Sequence, residues 1–149
     1  FLGYHTGVAY ADHPLGPWRK QPGNFFDAPR ARFPSDDNFI WSHDGAFYAI
    51  VKDYGAHFQK HFKEALVLFR SADARSWQVA SDEPVLTSFR IRWADGTETP
   101  QVARLDQPQL WCDAHGQPTV LFLAVKELAD NRDLDVSYNI HVPLRRREP

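Results

Sequence analysis

The chain has 149 residues, 43% of them hydrophobic and 14% aromatic, which is enough apolar material for a core of ordinary domain size and too much for a disordered tail. Seventeen Lys and Arg against nineteen Asp and Glu give a formal charge of -2, with the basic residues scattered until Arg145, Arg146 and Arg147; the basic stripe of a nucleic-acid-binding surface is absent, and the terminal triplet reads as a solvated tail. No apolar run approaches the roughly 20 residues of a membrane-spanning helix, and Cys112, the single cysteine, excludes an internal disulfide or a thiolate metal cluster while leaving the redox compartment open.

The chain contains no methionine and opens at Phe1 in a strand-like run, so a native start is not expected there; a leader ahead of it would send the protein to the periplasm or out of the cell. Helical periodicity is nearly absent. Short runs of Val, Ile, Phe, Tyr and Trp alternate instead with Gly, Pro and Asp clusters, which predicts strands over residues 7–11, 38–42, 46–52, 65–71, 76–80, 109–112, 119–125 and 137–142. His43-Asp44-Gly45, Ala94-Asp95-Gly96 and Ala114-His115-Gly116 supply glycine where hairpins need positive φ, and the fold class is all-β. His13 and Pro14 sit in a connection, and Trp18 behind them is expected to pack between sheets.

A weak internal repeat organises these strands. Asp37 to Trp41 runs into His43-Asp44-Gly45, and Asp106 to Trp111 runs into Asp113 to Gly116, so that Trp111 follows Trp41 by 111 − 41 = 70 residues. Each copy reads acid, strand, tryptophan, turn glycine, apolar strand. A period of this length, holding about four strands, fits a propeller blade better than a sandwich hairpin. The repeats are placed near 36–100 and 105–143 in one partial β-propeller domain spanning 1–149. Between them, Ser71-Ala72-Asp73-Ala74-Arg75-Ser76-Trp77 resembles the Asp-box hairpin S-x-D-x-G-x-T-W of sialidase-type propellers, with Arg75 in the glycine place. There Asp73 is expected to accept hydrogen bonds from turn N–H groups and Trp77 to pack between sheets, both in structural roles.

In a propeller the first strand of each blade lines the central channel, so acids at one position of successive repeats converge there. Asp37 and Asp106 are placed at that position. Glycosidic bond hydrolysis requires such convergence, because one carboxyl protonates the leaving oxygen while another activates water or attacks the sugar. As turn caps, the same two residues would carry no chemistry.

The segments TGVAYADHPLGPW, DDNFIW, KDYGAHF, LFRSADARSW, IRWADG and RLDQPQL, in that order from Thr6 to Leu110, resemble glycoside hydrolases related to family 43, and the similarity extends to about Val125. The resemblance implies a five-bladed β-propeller, present here as about two to two and a half blades, and a glycosidase activity on an oligo- or polysaccharide. Asp37 matches the second acid of the pattern E-D-P-x-I-W and is implied to orient substrate and tune its partner, with Asp36 beside it on the substrate side. Asp106 stands in L-E-R-P-Q-L where a glutamate general acid is implied; the shorter side chain reaches about 1.5 Å less far. Gln107 replaces arginine and Asn38 replaces proline in these patterns. The resemblance puts the catalytic base in an earlier blade, outside this chain.

Lys52 and Asp53 resemble the K-D-x-x-G segment of that group and are candidate sugar contacts, together with His57 of the same stretch. His57 and His61 are spaced like some metal ligands but lack a helical pattern and a third ligand, so no metal site is expected. Trp41, Trp93 and Trp111 are candidate stacking platforms; Trp41 and Trp111 are expected to brace the blades, leaving Trp93 as the better ligand contact. The chemistry requires no cofactor, and a central channel leaves room for a structural cation. The expected partners are a carbohydrate and the remaining blades or another subunit, with no nucleic acid and no membrane. Two other readings are a non-catalytic carbohydrate-binding propeller and a glycoside phosphorylase, the latter needing a phosphate site of Arg, Lys or His.

Overall fold

The structure is a computed structural model, and it describes residues 6–23, 25–26, 35–87, 91–99, 102–127 and 136–144. Every regular element among them is a β-strand. The ribbon β1 (Ala9–Tyr10) and β2 (Arg19–Lys20) leads into a sheet of β3 (Ser35–His43), β4 (Ala46–Asp53), β5 (Ala65–Ser71) and β6 (Gln78–Val79), each antiparallel to the one before; β7 (Leu86–Thr87) pairs with the other half of β5. A short hairpin of β8 (Ile91–Arg92) and β9 (Glu98–Thr99) precedes a second sheet of β10 (Val102–Cys112), β11 (Pro118–Glu127) and β12 (Ser137–Pro143), again antiparallel in chain order. None of these sheets closes into a barrel. The second has three strands among the described residues, against the four expected per repeat.

Side-chain alternation explains how the sheets stack. On the first sheet Ala49, Val51, Val67 and Phe69 face one way and meet Phe26, with Phe25, Phe58 and Trp77 around them. Ile50, Leu66 and Leu68 face the other way and meet Leu105, Leu121, Leu123, Val125 and Ile140 of the second sheet. Both faces of the first sheet are therefore covered, which is why β4 and β5 read as nearly continuous apolar runs rather than as alternating ones. Each fully buried Leu or Val contributes about 1.5–3 kcal/mol relative to exposure.

Several strands depart from their sequence pattern. β10 begins at Val102 rather than 109, because Pro108 is accommodated at an irregularity of the ladder instead of ending the strand. The predicted strand at 7–11 shrinks to Ala9–Tyr10, and the short strands β2, β7, β8 and β9 carry too few residues for any period. Trp18 is 60% exposed, so it does not pack between sheets. The turn glycines fall where expected: Asp44 and Gly45 both take positive φ, 47° and 71°, as a two-residue hairpin requires, and Gly96 and Gly116 are left-handed as well.

The segment 71–77 links β5 to β6 as the Asp-box resemblance implies. One Asp73 oxygen, Oδ1, accepts from the backbone N–H groups of Arg75 (2.8 Å) and Ser76 (2.8 Å) and from the Ser71 hydroxyl (2.9 Å). The left-handed residue is Ala74, φ 56°, rather than Arg75, so the strain sits one position earlier than the motif implies. Trp77 is half-buried against Phe25 and Phe26, at ring separations of 5.4 and 5.7 Å. Tyr10 ties the β1–β2 ribbon to this hairpin by donating to the Ala74 carbonyl at 2.6 Å. The donors around Asp73, first the Ser76 N–H, hold its carboxyl down to about 2. A carboxyl depressed in the folded state stabilises above its unfolded value of about 3.9 and loses that contribution as pH falls toward its folded value. Asp73→Asn is therefore expected to flatten the fall of melting temperature between about pH 4 and pH 2; an unchanged slope would remove Asp73 from the acid limb of stability.

Candidate functional site

The site is built where the first strands of the two sheets, β3 and β10, bulge. Along β3 and β4 the pairs Asp36–Lys52 and Phe39–Ile50 leave one extra residue on β3, and Asp37 takes φ 50° there. Along β10 and β11 the pairs Asp106–Ala124 and Gln109–Phe122 leave one extra residue on β10, and Gln107 takes φ 52°. Each left-handed residue precedes its tryptophan by four positions, and the rows Trp41–Tyr48 and Trp111–Val120 pair in the same register. The sequence repeat is thus reproduced in the backbone, with one correction to its alignment. Asp36 and Asp106 are equivalent, and Asp37 is equivalent to Gln107, because Asp106 precedes its bulge as Asp36 does, whereas Asp37 lies within one.

Bulging also brings the acids together. Asp37 Oδ2 accepts the backbone N–H of Gln107 at 3.2 Å, which sets it beside Asp106 across the two strands. Lys52, fully buried at 0% exposure, donates from Nζ to the Leu105 carbonyl at 2.9 Å and to the Glu64 carbonyl at 3.4 Å. The same ammonium lies 3.0 Å from Glu64 Oε2 and 3.3 Å from Asp106 Oδ1, both as ion pairs without hydrogen-bond alignment. It also approaches the Tyr54 ring, 5.5 Å from its centroid.

The electrostatics of this cluster are asymmetric. Burial pushes the Asp37 carboxyl above its ordinary 3.8; the charges of Asp36 and Asp106 push the same way, against the Gln107 N–H and Lys52. Burial, followed by the charges of Asp106, Asp37, Asp36 and Glu64, pushes Tyr54 up to about 12, so its phenol keeps its proton at neutral pH. Beside Asp37 a cavity of about 570 Å³ opens on the side of the β10–β12 sheet facing away from the first sheet, lined in part by Asn38, Gln107, Gln109, Phe122, Asn139 and His141. Asn38 donates to the Thr6 hydroxyl at 3.2 Å, and among the described residues its buried Oδ1 has no donor.

Asp37, Asp106, Lys52 and the more exposed Asp36 are therefore gathered at one place, while other candidates stand elsewhere. Asp53 is fully buried, and its carboxylate accepts the N–H groups of Gly55 (3.1 Å), His57 (3.0 Å) and Phe58 (2.9 Å), which makes it the cap of the turn after β4 rather than a sugar contact. His57 lies exposed in that turn, with its ring against Gly55. Trp41 stacks on Tyr48 at 5.4 Å and packs against the inter-sheet core. Trp93 donates its indole N–H to Thr99 at 2.9 Å and rests on Tyr138, bracing the β8–β9 hairpin. Trp111 does not brace the two sheets, being 65% exposed on the open face of β10. Glu64 and Tyr54 join the cluster without having been singled out by the sequence: Tyr54 continues the Lys52-Asp53 pair, but Glu64 arrives through a loop and carries no signal of its own; Gln107, noted in the sequence only as standing in the place of arginine, joins through its backbone N–H. No group of three or more His, Cys, Asp or Glu side chains is placed to hold a metal ion among the described residues, and no helix there is long and apolar enough to cross a membrane. Comparison of the chain with family models, with curated proteins and with solved structures finds no match.

Proposed function

We propose that the chain forms part of a five-bladed β-propeller and that its Asp37–Asp106 pair serves the hydrolysis of a glycosidic bond in an oligo- or polysaccharide. The observation that carries this reading is the unlike surroundings of two neighbouring carboxylates. Hydrolysis needs one carboxyl that holds a proton for the leaving oxygen and one that stays ionised to activate water or stabilise positive charge on the sugar. Asp37, half-buried beside two like charges, is suited to the first task. Asp106, 3.3 Å from the Lys52 ammonium, is suited to the second. This reverses the roles implied by the resemblance, in which Asp106 is the general acid. The two stacked sheets, with matching bulges on β3 and β10, support the propeller part of the reading.

The test is turnover of a panel of neutral oligosaccharides and aryl glycosides by this chain, with and without inorganic phosphate. Because the Asp37 pKa is raised, kcat/KM is expected to fall as pH rises through that elevated value, and Asp37→Asn is expected to abolish this limb. Binding of the panel with no turnover would replace the reading with a carbohydrate-binding module. Turnover only with phosphate would make the protein a phosphorylase.

A further inference from the structure

The edge of the first sheet farthest from β3 is open. β6 and β7 pair with opposite halves of β5, and among the described residues no strand lies beyond β6. Ala80 donates to the Leu68 carbonyl at 2.8 Å, so Val79, opposite Phe69, falls at a non-hydrogen-bonded place of the ladder and turns its own N–H and C=O away from β5. Beside it Gln59, 5% exposed, donates from Nε2 to the Ser81 carbonyl at 2.6 Å, and its buried Oε1 has no donor among the described residues. Because the Ser81 carbonyl can only accept, the orientation of the amide is fixed and the open group is an acceptor. Alternation puts a hollow on each face of this edge. On the Phe69 side a cavity of about 530 Å³ is lined in part by Phe58, Gln59, Lys60 and Val79. On the Arg70 side one of about 330 Å³ is lined in part by Arg70 and Gln78, and both cavities reach Val79 and Ala80.

We propose that the β6 edge is a strand-addition site for an extended peptide segment of a partner protein, with an apolar side chain against Phe58 and Val79 and an acidic one toward Arg70. An added strand supplies what this edge lacks. Its backbone offers a carbonyl to the Val79 N–H and an N–H to the Val79 carbonyl, and a further donor answers Gln59 Oε1. Its successive side chains point to opposite faces, which suits two hollows flanking one strand, whereas a compact ligand fills one of them. Charge selects the acid. Arg70 is exposed with no acidic partner among the described residues, while Asp73 nearby is committed to the turn N–H groups of Arg75 and Ser76. Residues 76–81 hold no acid, so pairing of two β6 edges from two copies of the chain would leave Arg70 unmatched. Sheets stack through their faces, and the acid site lies on β3 at the opposite edge. The inference therefore rests on neither the propeller nor the hydrolytic reading.

The experiment titrates the isotope-labelled chain with the synthetic peptide acetyl-KTVEVTK-amide, whose valines and glutamate fall on opposite faces when extended, and follows the backbone amides by NMR. At a peptide concentration about ten times its Kd, solvent exchange of the Val79 amide is expected to slow about tenfold, with the β10–β12 sheet unchanged. N-methylation of both valines removes the donors aimed at β6 and is expected to abolish binding. Val79→Pro is expected to do the same, since it deletes an N–H that the ladder does not use. Arg70→Glu distinguishes a lost site from a damaged fold: it is expected to weaken this peptide about three- to fivefold and to bind the version with lysine in place of glutamate better than wild type does. No binding at about 1 mM, the weak end of specific recognition, overturns the proposal. So does equal binding of the N-methylated peptide, or protection of Val79 that grows with protein concentration alone, which makes a second copy the occupant. None of these readouts involves glycoside turnover or a further sheet, so each reading fails separately.

Discussion

Lys52→Ala is expected to destabilise the fold by about 3–5 kcal/mol, lowering the thermal midpoint by roughly 10 °C or more. The side chain is fully buried, and its ammonium neutralises Glu64 and Asp106 while bonding the Leu105 carbonyl across the sheet-to-sheet interface. Removing it leaves two carboxylates without their cation and a void in a close-packed layer, and both effects act in the same direction. Lys52→Met separates them, since it keeps the stem and deletes the charge; it is expected to melt between wild type and alanine. Adding Asp106→Asn to Lys52→Met is then expected to recover stability, because the amide needs no counter-ion. Chemical denaturation of wild type and these variants checks this, and a Lys52→Ala stability within about 0.5 kcal/mol of wild type would show that the lysine is a bystander.

Asp37→Asn is expected to lower kcat on a cleaved glycoside by about 10²- to 10⁴-fold, the usual contribution of a positioned acid or base, with a melting temperature at neutral pH equal to or above wild type. The stability sign follows from the raised pKa. Above its unfolded value of about 3.9 the free carboxyl ionises in water at no cost, whereas in the folded chain partial desolvation and the charges of Asp36 and Asp106 make its ionisation unfavourable, so an ionisable group here opposes folding relative to a neutral one. Asparagine removes the charge, still accepts the Gln107 N–H and tolerates φ 50° better than other neutral replacements except glycine. Activity and stability falling together would point to a purely structural aspartate. Circular-dichroism melts beside initial rates decide between the two.

Local chemistry is the most legible part of this chain. Ser71-Ala72-Asp73 reads as a capped hairpin because donors and acceptor lie within a few residues of one another, and Asp44-Gly45 reads as a turn because its φ values have few other hosts. The meeting of Asp37 with Asp106 is legible only through the repeat. Even there the reading slips by one, since Asp106 follows Asp37 by 106 − 37 = 69 residues whereas the tryptophans are 111 − 41 = 70 apart, an offset that pairs Asp106 with Asp36. Asp53 defeats the sequence reading because a Lys-Asp pair at a strand end looks solvated. Its burial depends on the following turn folding back over it, with Phe58 drawn against Phe69 at 5.1 Å. Trp93 and Trp111 show the same limit from opposite sides. The Trp93 indole is satisfied across a hairpin by Thr99, while the Trp111 ring lies open, and neither outcome is written in the residues beside them.

The paired bulges also set the phase of β3 and β10. Between Asp36 and Phe39 the chain advances three residues while β4 advances two, and the same mismatch separates Asp106 from Gln109. A strand that counts three against two keeps both flanking rows on one face, although plain alternation would put them on opposite faces. The surplus residue therefore belongs to neither row: the core on either side of it is in step without it. Packing is thereby decoupled from the identity at these two places, so that residues 37 and 107 can differ, one an acid and one an amide, while the aromatic and aliphatic rows around them stay in register. A fold that repeats this step holds one chemically variable place on the first strand of each sheet, and changes its chemistry there without disturbing its core.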